Sequence, residues 1–187
     1  MISHQYKTIF VHQRKCAGSS IIASFGIDDA DPGRHFMTDG SLSGDYHYWK
    51  NSPWLPAYYK FAVVRNPWDR FVSGWLYCEN LRDRPMRDVL RHLPQLEHDY
   101  VHVTRLQRST LFDASGYLIV DRVIPFENLQ LAFDEVCRTI GKPLELLPHA
   151  LKNETRRHYS EYFEDPTDRG LFMRHFALDV DTFEYSF

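Results

Sequence analysis

The sequence predicts an α/β fold of three layers, with a mostly parallel sheet covered by helices on both faces. Three observations carry this expectation. Two short apolar runs, Tyr6 to Val11 and Tyr58 to Val64, each pass directly into a loop that opens a helix. Apolar spacing at Leu129, Phe133, Val136 and Ile140 marks a further helix, after a third run ending at Pro125. Strands alternating with helices imply parallel neighbours, and in such a sheet a ligand belongs at the carboxyl ends of the strands.

Taken in order, the first strand delivers the loop His12-Gln13-Arg14-Lys15-Cys16-Ala17-Gly18-Ser19-Ser20, and Ile21 to Phe25 opens a helix. Strand, loop and helix in that order aim a set of backbone N–H groups at one spot, which suits a phosphate or sulfate. The loop is not a Walker loop, because Lys15 precedes Gly18 by three residues instead of following a glycine and preceding Ser/Thr. Residues 28–52 are rich in Gly, Asp, Ser and Pro without periodicity, and a loop of that length is usually functional or mobile. The second strand ends at Arg65, where Asn66 is a good N-cap and Pro67 a good first helical residue for a helix to about Cys78. Ser73 falls roughly two turns into that helix. Arginine offers a phosphate a two-pronged fork and serine another donor, so this segment repeats the anion-binding design of the first loop. Alone, Arg65 reads equally well as half of a structural ion pair.

Residues 82–111 read as two helices or one helix with irregular turns. Gly116 to Pro125 reads as a turn and a third strand, and Asn128 to Ile140 as a helix closed by Gly141 and Pro143. A last helix spans about Thr167 to Ala177, before the aromatic residues Phe183, Tyr185 and Phe187. Nothing marks an internal boundary, so 1–187 is expected to be one domain.

Composition narrows the function. A net charge of −3 gives no global footprint for nucleic acid, so anion binding has to be local. Three scattered cysteines, Cys16, Cys78 and Cys137, form neither a disulfide framework nor a metal-spaced pair, which fits a reducing compartment. With no apolar leader and no run approaching a membrane span, the expectation is a cytoplasmic protein that binds no metal.

The stretches Lys15-Cys16-Ala17-Gly18-Ser19-Ser20 and Phe61-Ala62-Val63-Val64-Arg65-Asn66-Pro67-Trp68-Asp69-Arg70-Phe71-Val72-Ser73 together resemble the two nucleotide motifs of sulfotransferases that use 3′-phosphoadenosine 5′-phosphosulfate (PAPS), in the carbohydrate-type branch. Softer similarity runs through His102 to Gln107, Phe126 to Leu129 and Tyr159 to Phe163. The resemblance implies a P-loop-like fold and PAPS as co-substrate. It assigns Lys15 to the leaving phosphate, with Arg14 beside it and the amides of Cys16, Ala17, Gly18, Ser19 and Ser20 around the 5′ end. Arg65 and Ser73 take the 3′-phosphate. The general base is expected between the two motifs, where His35 leads, His47 follows, and Asp39 and Asp45 lie nearby. His102, Arg105 and Gln107 are assigned to the acceptor or nucleotide pocket, with ordinary polar contacts of a helix surface as the alternative. His12 is expected to orient the loop. Arg156 and Arg157 suit either an anion or a solvated face. The acceptor is a small molecule or a glycan, and no oligomeric state is implied. The competing readings are a P-loop kinase, which magnesium and ATP dependence would reveal, and a nucleotide-binding module without catalysis.

Overall fold

The computed structural model describes residues 1–27, 55–96, 100–148 and 156–187. Its elements in chain order are β1 (Ile2–Ser3), β2 (Thr8–Val11), α1 (Gly18–Ser24), β3 (Tyr59–Val64), α2 (Pro67–Tyr77), α3 (Glu79–Arg82), α4 (Met86–His92), α5 (Val101–Thr104), α6 (Arg108–Leu111), β4 (Arg122–Pro125), α7 (Leu129–Ile140) and α8 (Pro166–Thr182). The α/β expectation holds: a four-stranded sheet in the order β1-β2-β3-β4, parallel except at β1, is flanked by helices. The chain divides into two compact units, Met1–Val64 with Ser109–Lys152, and Arg65–Arg108 with Asn153–Phe187.

The first unit contains the sheet. One face presents Phe10, Phe61, Val63 and Ile124 to Ile21 and Ile22 of α1 and to Phe133, Val136 and Cys137 of α7. The opposite face, Ile9, Val11, Ala62 and Val64, is at most 4% exposed, so β2 and β3 are buried on both sides, as parallel strands are. Each large side chain so buried contributes about 1.5–3 kcal/mol. Because β2 and β3 are parallel neighbours, their carboxyl ends share one edge of the sheet.

Two strand boundaries differ from expectation, for local reasons. β2 begins at Thr8 and not Tyr6, because β1 folds back so that Ile2 and Ser3 pair with Ile9 and Thr8. The tight return places Lys7 at a φ of 46°, which no strand residue adopts. The third strand is only Arg122–Pro125, because the Asp113 carboxylate accepts the amides of Ser115 and Tyr117, both at 2.9 Å, and closes residues 113–117 into a turn. Asp121 then accepts the Lys60 amide at 2.7 Å, bracing the start of β3. Helix α7 runs as its spacing predicts and ends at Gly141, whose φ of 72° is the left-handed stop.

The second unit is a helical cluster with an aromatic core. Trp68 stacks on Phe172 with centroids 3.8 Å apart and meets Phe163 edge-on at 4.9 Å. Phe71, Phe176, Val89 and Val103 complete the interior. Among the described residues of 82–111, the helical stretch expected there is broken into α4, α5 and α6, each short. The last helix, α8, outruns its predicted end by more than a turn, because Asp179 and Val180 beyond Ala177 face the interior. Among the described residues, no helix is long and apolar enough to cross a membrane.

Candidate functional site

The loop after β2 is shaped by its main chain. Lys15 and Ala17 have φ of 65° and 57°. Left-handed conformations in residues with a Cβ cost on the order of 1–3 kcal/mol each and persist where function requires them. Left-handed residues at alternate positions are the backbone pattern on which anion nests are built. The Cys16 amide is not part of it, because it closes the loop onto the Gln13 carbonyl at 3.3 Å. The first helical bond is Ile21 N–H to the Ala17 carbonyl at 3.1 Å, so Gly18, Ser19 and Ser20 supply the first-turn amides that a helix leaves without internal partners.

Side chains lock this shape from behind. A Cβ on Gly18 would stand 1.8 Å from Nε2 of His12, so the far end of the imidazole packs against the glycine and would have to move for any other residue there. His12 is the loop-orienting residue expected from the sequence, with its ring 5.7 Å from that of Phe10. Gln13 is buried and accepts the Thr110 hydroxyl at 2.7 Å. The Cys16 side chain is fully buried in the sheet core and does not present a thiol to a substrate. Arg14, Lys15, Ala17, Ser19 and Ser20 are half-buried at the rim of the loop.

In the second unit, Arg65 is 8% exposed, and its main chain is held at both ends by one side chain. The Arg65 amide donates to Gln107 Oε1 at 2.9 Å, and Gln107 Nε2 donates to the Arg65 carbonyl at 3.0 Å. The amides of Gln107 and Arg108 donate in turn to the two oxygens of Asp179, at 2.8 and 2.9 Å. Asp179 is fully buried, with Arg70 Nη2 at 4.0 Å. Burial raises the Asp179 carboxyl above its ordinary range, against the pull of Arg70 and of the two amides. Gln107 therefore braces the backbone of Arg65 through its side chain.

The guanidinium of Arg65 reaches Asp69 Oδ2 through Nε at 2.7 Å and Nη2 at 2.6 Å. Arg156 binds Oδ1 of the same carboxylate, and its Nη2 also donates to the Asp69 carbonyl at 3.1 Å. Burial, reinforced by the like charge of Arg65, presses the Arg156 guanidinium down from its usual value to about 10. Arg156 thus joins Arg65 on one carboxylate and not a solvated face; Arg157 is exposed and lies over the Tyr162 ring at 4.8 Å. Ser73 is half-buried one turn beyond Asp69, on the same side of α2.

The remaining assigned residues fall as follows. His102 is half-buried with its ring 4.9 Å from Tyr77, and its carbonyl packs so close to Gly74 that a Cβ there would meet it at 2.4 Å. The Arg105 carbonyl accepts Arg70 Nη2 at 2.5 Å. Trp68 and Trp75 are engaged in packing: Trp68 on Phe172, and Trp75 through its indole N–H on the Leu81 carbonyl at 2.8 Å. His35, His47, Asp39 and Asp45 lie outside the described residues. The sequence had no signal for the Arg156–Asp69 contact, which joins residues 87 apart, whereas the Arg65–Asp69 pair at (i, i+4) spacing was readable.

A family model described as the sulfotransferase family matches residues 1–109 of the 187, a span that includes both the loop after β2 and the segment at Arg65. The chain belongs to the sulfotransferase family and is a sulfotransferase. The matched span ends before the softer similarities at residues 126–129 and 159–163. No match is found among curated proteins or among solved structures.

Proposed function

We propose that this sulfotransferase takes its sulfuryl group from PAPS and passes it to an acceptor hydroxyl, on a carbohydrate or a glycosylated metabolite. The observation that carries the donor is the pairing of Arg65 with Arg156 on Asp69, in the segment that resembles the family's 3′-phosphate motif. A nucleotide bearing only a 5′ chain gives such a cluster nothing to bind. The donor's 3′-phosphate is a dianion that suits two guanidiniums and the Ser73 hydroxyl.

The loop suits the other end. Lys15 and the amides of Ala17, Gly18, Ser19 and Ser20 supply fixed donors for the phosphate that departs when the sulfuryl group leaves. Donors already in place when that charge develops stabilise the transition state without reorganisation, and each is worth about 3–4 kcal/mol. His12 holds the loop through Gly18, and Gln107 holds Arg65, so neither touches the reacting atoms in this account. The acceptor's proton goes to a base that we place at His35 or His47, with His102 and Arg105 contributing to the acceptor pocket.

The test is thermal stabilisation of the protein by 3′-phosphoadenosine 5′-phosphate, beside ADP and ATP with and without magnesium. A ligand that binds only the native state raises apparent stability by mass action. The proposal expects a shift for the 3′-phosphorylated nucleotide that exceeds the others and does not depend on magnesium. A larger shift with ATP and magnesium overturns it.

A further inference from the structure

Arg65 and Arg156 carry two positive charges, and both bind the same acid, Asp69. The carboxylate is engaged on both oxygens: Oδ2 takes Arg65 through two nitrogens at 2.6 and 2.7 Å, and Oδ1 takes Arg156. These three side chains sum to one positive charge. Asp69 is itself fixed in the first turn of α2, and Arg156 binds its main-chain carbonyl as well as its carboxylate. It is only 21% exposed, so its charge acts on the guanidiniums with little screening by water. A carboxylate in this position already supplies the oxygens that a phosphate would bring to the two arginines.

We infer that Asp69 is the resident counter-ion of this anion site: it holds Arg65 and Arg156 together between ligands, and it competes with the phosphate that replaces it. The inference rests on reading Arg65 as a phosphate-binding residue. A phosphate arriving at the two guanidiniums meets a carboxylate of the same sign, which it displaces or abuts, and like charges so juxtaposed are costly. Asp69 therefore weakens binding of the 3′-phosphate and hastens its departure. It is a positioning and specificity residue, with no part in bond making.

The experiment compares wild type with Asp69→Asn, which keeps size and one acceptor oxygen but removes the charge. Probes are inorganic phosphate, 3′-AMP for the Arg65 end and 5′-AMP for the Lys15 end, read by calorimetry and by thermal shift. The inference expects the ligand-free variant to melt lower, because two guanidiniums lose their shared counter-charge. It expects phosphate and 3′-AMP to bind roughly tenfold tighter than to wild type, with 5′-AMP unchanged. Equal or weaker binding of phosphate and 3′-AMP overturns it, since a merely structural Asp69 lowers the melting point without a gain in affinity.

Should Asp69→Asn fail to fold, a charge-matched pair decides. Arg156→Gln leaves Arg65 balanced one-to-one by Asp69 and loses most of the phosphate response. Asp69→Asn with Arg156→Gln restores the net charge and regains it; a double variant as unresponsive as the single one overturns the inference. The functional proposal fails separately. If neither protein prefers 3′-phosphoadenosine 5′-phosphate over ADP, PAPS is not the donor, and the response to inorganic phosphate alone decides on Asp69.

Discussion

The loop at residues 12–18 and the segment at Arg65 are the two segments proposed to hold the donor's phosphates, and they hold their shape by different means. The loop works through main chain: Lys15 and Ala17 sit in left-handed conformations, and the His12 ring against Gly18 keeps them there. The segment at Arg65 works through side chains: two guanidiniums on Asp69, and a backbone clamped by Gln107 and, behind it, Asp179. A main-chain site is rigid and carries no charge of its own beyond Lys15, so it suits a group whose charge grows during reaction. A side-chain site carries its own charges and counter-charge, so it suits recognition of an ion that is the same before and after. On the proposed reading the first serves rate and the second selectivity.

The largest effect that tests this division is on rate. Lys15→Ala is expected to reduce kcat by at least about a hundredfold, as the loss of one preorganised donor does, and near-normal turnover of that variant breaks the assignment. Next is the lock behind the loop. Gly18→Ala drives a methyl into the His12 ring, and overpacking of this kind costs about 1–3 kcal/mol. Adding His12→Ala to it returns part of the lost turnover, because the ring that collides is gone. If the double variant is no better than Gly18→Ala alone, the ring is not what shapes the loop.

Smaller effects distinguish positioning from plain stability in the second segment. Gln107→Leu leaves the Arg65 amide and carbonyl without their partners, at a cost of about 1–3 kcal/mol in stability. The same variant is expected to lose preference for 3′-phosphorylated nucleotides, measured by competition between them and their 5′-only counterparts. The control is Asp165→Ala, at the N-terminus of α8. The Thr167 amide and hydroxyl and the Arg87 guanidinium hold the Asp165 carboxyl down to about 2. A carboxyl held low in the fold stabilises it above the unfolded value near 4, and this contribution is lost as pH falls toward 2. The variant thus melts slightly lower than wild type at neutral pH, converges with it near pH 2, and keeps nucleotide preference throughout. A changed preference in this control means that selectivity tracks stability and not Arg65.

Much of this was legible in the chain because it is local. The buried runs at Thr8–Val11 and Tyr59–Val64, the cap at Asn66 with Pro67 after it, and the stop at Gly141 follow from neighbours within a few residues. Lys15, Gly18 and Arg65 declared themselves by their place after a strand. The contacts that did not show join distant parts of the sequence. Nothing near Gln107 in the sequence shows that its side chain closes on the main chain of Arg65, 42 residues away. For Arg156 the sequence left an anion or a solvated face open, and it is the distant Asp69 that decides. The fold-back of β1, which shortens β2, also left no pattern, since two residues are too few to show a period.

The most direct test of the division is a binding series of 3′-phosphoadenosine 5′-phosphate and ADP to wild type, Lys15→Ala and Arg65→Ala by calorimetry. The account predicts that Arg65→Ala binds the two nucleotides alike, whereas Lys15→Ala weakens both and leaves the wild-type ratio between them intact. An Arg65→Ala protein that still prefers the 3′-phosphorylated nucleotide by the wild-type ratio contradicts it.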